Sequence, residues 1–265
     1  MNGKMPVYYK CNMSKMEHIA VYIGASLLLS VVAYLFYHWI PVSVVIGFLA
    51  GIYLEKMYAD STIEKRQKSL RLQFKDFLGS MSVAVRAGNV EVAAVKSALE
   101  DLKLSYSSKA DIVREVENII LQYDRGGIEM KVLFQDLADR SDIEDIRSFA
   151  TIYSVIEGKS DRFGDILTQT EEVIRDKVEI EQEIETTITS AKSETMVMLI
   201  MPIVIVVAMS SMGGGLLDSL FTTDVGHFCA TVALVIFGVS YVLAVKSSKI
   251  EVSVSYTHLR AHETG

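Results

Sequence analysis

Side chains able to carry out chemistry are thinly spread along this chain. Its five histidines are His18, His38, His227, His258 and His262, and none lies between residues 60 and 193. The two cysteines, Cys11 and Cys229, have no partner at metal-ligand spacing and make no disulfide framework. No GxxxxGK[ST] segment is present to cradle phosphate, and HExxH and GxSxG are absent. What remains is carboxylate. Asp136, Asp139, Asp142, Glu144 and Asp145 form the densest cluster. Such oxygens suit a divalent cation; the plainer reading is a solvated face with carboxylates favoured at a helix start. From Glu157 to Glu194 there are eleven acidic and five basic residues, a balance of −6. Most such runs are the wet face of a helix; the other reading is that Glu171, Glu172, Asp176, Glu179 and Glu183 form an acidic arm suited to a basic partner surface. The net charge of −7 argues against nucleic acid, which needs a basic face. No catalytic, cofactor or metal site is assigned, and the chain reads as a non-enzyme.

The elements around these groups are set by where the apolar residues fall. Half of the 265 residues are hydrophobic and 22% are charged, with a mean hydropathy of +0.30. The two properties separate along the chain. Ile19 to Tyr37 is an uncharged run of membrane-spanning length. Pro41 disfavours its continuation, Trp39 suits an interface, and Ile40 to Leu54 is a second, shorter run. Together they predict a helical hairpin over 19–57, the alternative being one span followed by an interfacial helix. Thr195 to Leu217 and Val225 to Val245 predict a second pair over 194–246, joined by a loop with Asp218 and Asp224 but no Lys or Arg. Lys4, Lys10 and Lys15 precede the first run; Lys56, Lys65, Arg66, Lys68 and Arg71 follow the second. Lys192 precedes the third, and Lys246 and Lys249 follow the fourth. All basic flanks thus fall on one side, which predicts a multi-pass protein of the cytoplasmic (inner) membrane with both termini and the middle domain cytoplasmic. Gly47 and Gly51, and again Ser211 and Gly215, have the small-xxx-small spacing that lets helices approach closely in lipid.

Residues 60–193 show helical periodicity and almost no strand alternation. Ser61-x-x-Glu64 reads as a capping box opening a helix to Ala87, with Leu70, Phe74, Phe77, Leu78, Met81 and Val85 on its apolar face. Gly88-Asn89 ends it. A second helix follows over about 90–104. Ser108-x-x-Asp111 predicts the start of a third, broken at Gly126-Gly127, and a fourth covers about 128–139. Ser141-x-x-Glu144 predicts the start of a fifth, ending near Gly158. A sixth starts near Asp165, with Ile166, Val173, Lys177, Ile180, Ile184, Ile188 and Ala191 on one stripe, and no breaker separates it from the third apolar run. The reading is an all-α integral membrane protein: four transmembrane helices and a cytoplasmic bundle of about six helices, behind a tail over 1–18. Residues 253–265, SVSYTHLRAHETG, lack periodicity and stand outside the fold as a non-native tail.

FKDFLGSMSVAVRAGNVEVAAV, with its Ala87-Gly88 turn, resembles the opening of the type II secretion system F domain. The stretch from GGIEMKVLFQDLADRSDIEDI to the late Lys192 resembles that domain's second half, in the form found in TadB/TadC proteins of tight-adherence (Flp) pili. Glu157-Gly158-Lys159-Ser160-Asp161 stands where the family often has Glu followed by a Gly-Gly or Ser-Gly pair. The resemblance covers roughly residues 19–252. It implies a non-enzymatic platform in the cytoplasmic membrane, driven by a separate secretion ATPase and moving pilin subunits into a filament. It also implies a paralogous platform protein and homo- or hetero-oligomers as partners, with the acidic arm facing the ATPase. Two other readings are a platform of a type II secretion system and a membrane protein that relays a signal.

Overall fold

The structure is a computed structural model that describes residues 5–9, 15–37, 40–157, 160–211, 223, 225–226 and 228–243. Among the described residues there is no strand. The helices are α1 (Lys15–Tyr37), α2 (Ile40–Arg86), α3 (Glu91–Ser105), α4 (Asp111–Gly126), α5 (Met130–Ser141), α6 (Glu144–Ile156), α7 (Ser160–Ser211) and α8 (Phe228–Leu243). They fall into two compact units: residues 1–12 with 59–180, and residues 13–58 with 181–265.

The first unit is a helical domain. Leu70, Phe74, Phe77, Leu78 and Met81 recur at three- and four-residue spacing on α2, and all are fully buried. Their rings meet those of the later helices. Phe74 and Phe149 lie edge-on at 5.4 Å, as do Phe134 and Phe149 at 5.2 Å, Phe134 and Tyr153 at 4.7 Å, and Tyr153 and Phe163 at 6.0 Å. Such edge-on pairs add stabilisation beyond the area they bury. The helix α5 packs on α4 and α6, and α3 packs on α4.

Turn chemistry fixes several ends. Gly88, at φ 92°, closes α2: its amide donates to the Val85 carbonyl and that of Asn89 to the Ala84 carbonyl. This is the Schellman arrangement, in which glycine takes the left-handed position at no steric cost. The expected start at Ser61 is corrected. The helix α2 runs unbroken from Ile40 to Arg86, because neither glycine nor proline occurs between Gly51 and Gly79 to stop it. The other two capping boxes are corrected as well. Ala110 precedes α4, and Ile143 precedes α6, without side-chain caps. Ser141 is the last residue of α5, and Asp142 at φ 54° makes the turn. Ser141 Oγ donates to the Ala138 carbonyl instead of capping α6. The sixth helix of the domain, α7, begins at Ser160 rather than Asp165.

In the second unit, α1 and the start of α2 are long and apolar enough to cross a membrane. Their large side chains face outward: Leu27 is 65% and Leu49 63% exposed, so neither run is the buried core of this chain. Ser193–Met209, within α7, and α8 are apolar but shorter. Pro202 lies inside α7 without ending it. The full expected third and fourth runs, to Leu217 and Val245, extend outside the described residues, as do the tail 253–265 and residues 1–4 and 10–14.

Candidate functional site

Two of the four small residues singled out in the sequence meet a neighbouring helix. At Gly47 an added Cβ would lie 2.7 Å from the Ser26 carbonyl oxygen and 2.8 Å from the Ser30 amide nitrogen. At Gly51 it would lie 3.3 Å from both the Ser26 Cβ and the Tyr22 ring. The α1–α2 approach is therefore backbone-close at Gly47, which only the absence of a side chain permits. Around it Tyr22 Oη donates to the Phe48 carbonyl at 3.2 Å, and the Tyr22 and Phe48 rings meet edge-on at 5.6 Å. His18 Nδ1 lies 2.6 Å from Glu55 Oε1 at the other end of the seam. Ser211 is the last described residue of α7, and Gly215 lies outside the described residues.

The acidic arm is not one face. Glu172, Asp176, Glu179 and Glu183 are exposed on α7, but Glu171 is buried, 4% exposed, and receives Arg175 one turn on at 3.4 Å. The apolar stripe is corrected with it. The buried positions are Phe163, Leu167, Ile174 and Val178, whereas Val173 is 61% and Ile180 40% exposed. Two apolar stripes interleave on α7, and the one fixed by Phe163 against Tyr153 is the one that packs. Thr170 and Glu171 sit on that same face, so the helix carries a carboxylate into the domain.

Two long helices meet in this region. Gly164 of α7 is close enough to α2 that a Cβ there would sit 3.2 Å from Val85 Cγ1. Three residues back along α2, Ser82 Oγ shares a hydrogen bond with Thr168 Oγ1 at 3.1 Å. The opposed numbering makes the pairing antiparallel. Further along, Asp145 of α6, 4% exposed, is bound by Arg71 of α2 and by Lys177 of α7, the latter at 2.8 Å. One buried carboxylate thus ties three helices, and its charge is matched by two cations, as burial requires. Beside the Val85–Gly164 approach lies a groove of about 430 Å³. Arg86 lines it from α2; Gly164, Asp165, Thr168, Gln169 and Glu172 line it from α7. It offers a guanidinium and two carboxylates to a partner surface.

The five-carboxylate cluster disperses on folding. Asp136 pairs with Arg140 at 2.7 Å, Asp139 accepts from Gln135, Asp142 pairs with Arg147, Asp145 faces inward, and exposed Glu144 lies 3.9 Å from the Lys177 that Asp145 also holds. Among the described residues no three His, Cys, Asp or Glu side chains are placed to hold a metal ion.

A second polar cluster has no counterpart in the sequence reading. Glu115 of α4 is fully buried, and Arg140 of α5 grips it with two hydrogen bonds of 2.7 Å. Burial works against the Arg140 charge, but the bonds to Glu115 and Asp136 outweigh it and hold its pKa above the ordinary arginine value. Tyr8 Oη donates to Glu115 at 2.8 Å, and burial together with that carboxylate pushes the Tyr8 phenol up. Burial and the Asp76 carboxylate likewise push Tyr106 up to about 12. The signal for the Glu115 cluster was present in the helical pattern. Glu115 falls between Ile112 and Ile119 on the apolar face of α4, where an ionised side chain requires a partner.

No protein-family model, curated protein or solved structure matches the chain.

Proposed function

We propose that this chain is a membrane platform of the TadB/TadC-like type II secretion system F branch, coupling a cytoplasmic secretion ATPase to the movement of pilins into a filament. The observation that supports it best is the make-up of α2. One helix carries an outward-facing apolar run and, further on, the buried centre of the helical domain. The helix α7 repeats the plan in reverse order, with Leu167 and Ile174 in the domain core and exposed Ile200 and Ile205 beyond. On this reading, work done on the domain is passed to the membrane helices along α2 and α7. In this reading four helices span the cytoplasmic membrane, and both termini and the domain are cytoplasmic, as the lysines and arginines at the span ends favour. Pilins, a paralogous platform protein and lipid are the other partners, and the chain itself is not the ATPase.

The ATPase would be met by the exposed carboxylates Glu172, Asp176, Glu179 and Glu183, with Glu171 withdrawn beneath them. The test is a charge reversal, Glu172→Lys with Asp176→Lys, introduced into the strain of origin at matched protein level. The expected outcome is loss of surface filaments by electron microscopy and loss of co-purification with the strain's secretion ATPase. Wild-type filaments from a strain deleted for this chain would overturn the function. Retained ATPase binding by the reversed variant would overturn the assignment of the arm.

A further inference from the structure

We propose that the helical domain carries a peptide-docking socket, built by Arg66, Glu115 and Arg140. Its occupant is the segment 5–9 of this chain, held by Tyr8 and releasable without unfolding the bundle. The proposal goes beyond the platform reading and does not depend on it.

The segment has neither helix nor strand. It bends at Tyr8 and Tyr9, and it is held as a peptide ligand is, by bonds to its main chain and one aromatic anchor. The Tyr8 amide donates to the Arg140 carbonyl at 2.8 Å, and Arg140 Nη1 donates to the Pro6 carbonyl at 3.2 Å. The Tyr8 side chain is 1% exposed, with its hydroxyl on Glu115. The Arg66 guanidinium covers its ring at 4.6 Å from the centroid, a cation–π geometry.

What makes the segment separable is the charge pairing it leaves behind. Removing one member of a buried ion pair is costly because the other is stranded. Withdrawing Tyr8 strands no charge, although the Arg140 carbonyl gives up the Tyr8 amide. Glu115 keeps both bonds from Arg140, Arg140 keeps Asp136 at 2.7 Å, and Arg66 keeps its two bonds of 2.9 and 3.0 Å to Asp111. Tyr8 belongs to the same buried cluster as Phe74 and Phe163, but the ring pairs from Phe74 to Phe163 are made among α2, α5, α6 and α7 without it. The charge pairs of the socket are therefore complete without its occupant, and the socket selects a segment bearing a tyrosine.

Hydrogen exchange by mass spectrometry on the full chain in detergent tests this. In Tyr8→Ala, exchange over residues 5–9 should rise to that of a free peptide, with the helices around Phe74 and Phe149 unchanged. Tyr8→Phe keeps the ring but not the bond to a charged acceptor, and should weaken docking by about tenfold. A synthetic peptide of residues 1–12, added in excess to the Tyr8→Ala chain, should slow exchange around Glu115 and Arg140 again, and the same peptide carrying Tyr8→Ala should not. If Tyr8→Ala or Tyr8→Phe unfolds the domain or speeds exchange across the Phe74 core, Tyr8 is an ordinary core residue and the proposal fails. It fails equally if the peptide leaves exchange unchanged. Neither result bears on filament assembly.

Discussion

Single residues show how little of a close contact is written in residue type. Gly24, Gly47 and Gly51 share the same hairpin and look alike in the sequence. A Cβ at Gly24 meets nothing within 4 Å, whereas one at Gly47 runs into the backbone of α1. Gly24→Ala should therefore leave thermal stability in detergent unchanged or slightly raised, since alanine is the better helix former. Gly47→Ala forces two helix backbones apart and should cost about 2 kcal/mol. Equal unfolding temperatures for the two variants would refute the close approach. The spacing of Gly47 and Gly51 pointed to packing but not to the partner, because Ser26 and Ser30 carry no mark of it. Glu171 was harder to read. Its neighbours on α7 are carboxylates of the same type, and only its angular position relative to Phe163 puts it inside. Asp145 and Glu115 follow the same rule: each is an acid placed one turn from buried apolar residues.

At the scale of elements the helical class and most helix bodies follow from periodicity, as does the Gly88 stop. The starts follow less well. Ser61, Ser108 and Ser141 each begin a pattern that resembles a cap, yet a cap matters only where the chain actually leaves the helix. Between Gly51 and Gly79 nothing forces it to leave, so α2 absorbs the Ser61 signal. Continuity is the property that matters if the domain transmits work. The helix α7 is continuous through Glu183, and the hypothesis is that its stiffness there is required. Glu183→Pro removes a backbone hydrogen bond and clashes with the preceding turn, at a cost of about 3 kcal/mol. Glu183→Ala keeps the helix. At matched protein levels filament assembly should fail for the proline variant and persist for the alanine one. Equal assembly by both would show that the arm does not transmit force.

For the molecule as a whole the strongest expectation is orientation. With Cys11 and Cys229 replaced by serine, single cysteines at Ser107 and Thr222 should report opposite sides of the membrane. A membrane-impermeant maleimide on intact cells should label the second and spare the first, and labelling at Ser107 would overturn the charge argument. Thr222 lies outside the described residues, so this rests on the distribution of lysine and arginine alone. The contact between Pro6 and Arg140 has a separate consequence, one of timing. The two residues are 134 apart in the chain. At about 5–20 residues per second, a ribosome needs on the order of ten seconds to travel between them. Throughout that interval the tyrosine has been made and its socket has not. The apolar run of α1 is made while the segment ahead of it is still untethered. Docking can close only after α5 has been synthesised, which makes it a late event in the maturation of the chain and leaves the tyrosine available to other binders until then.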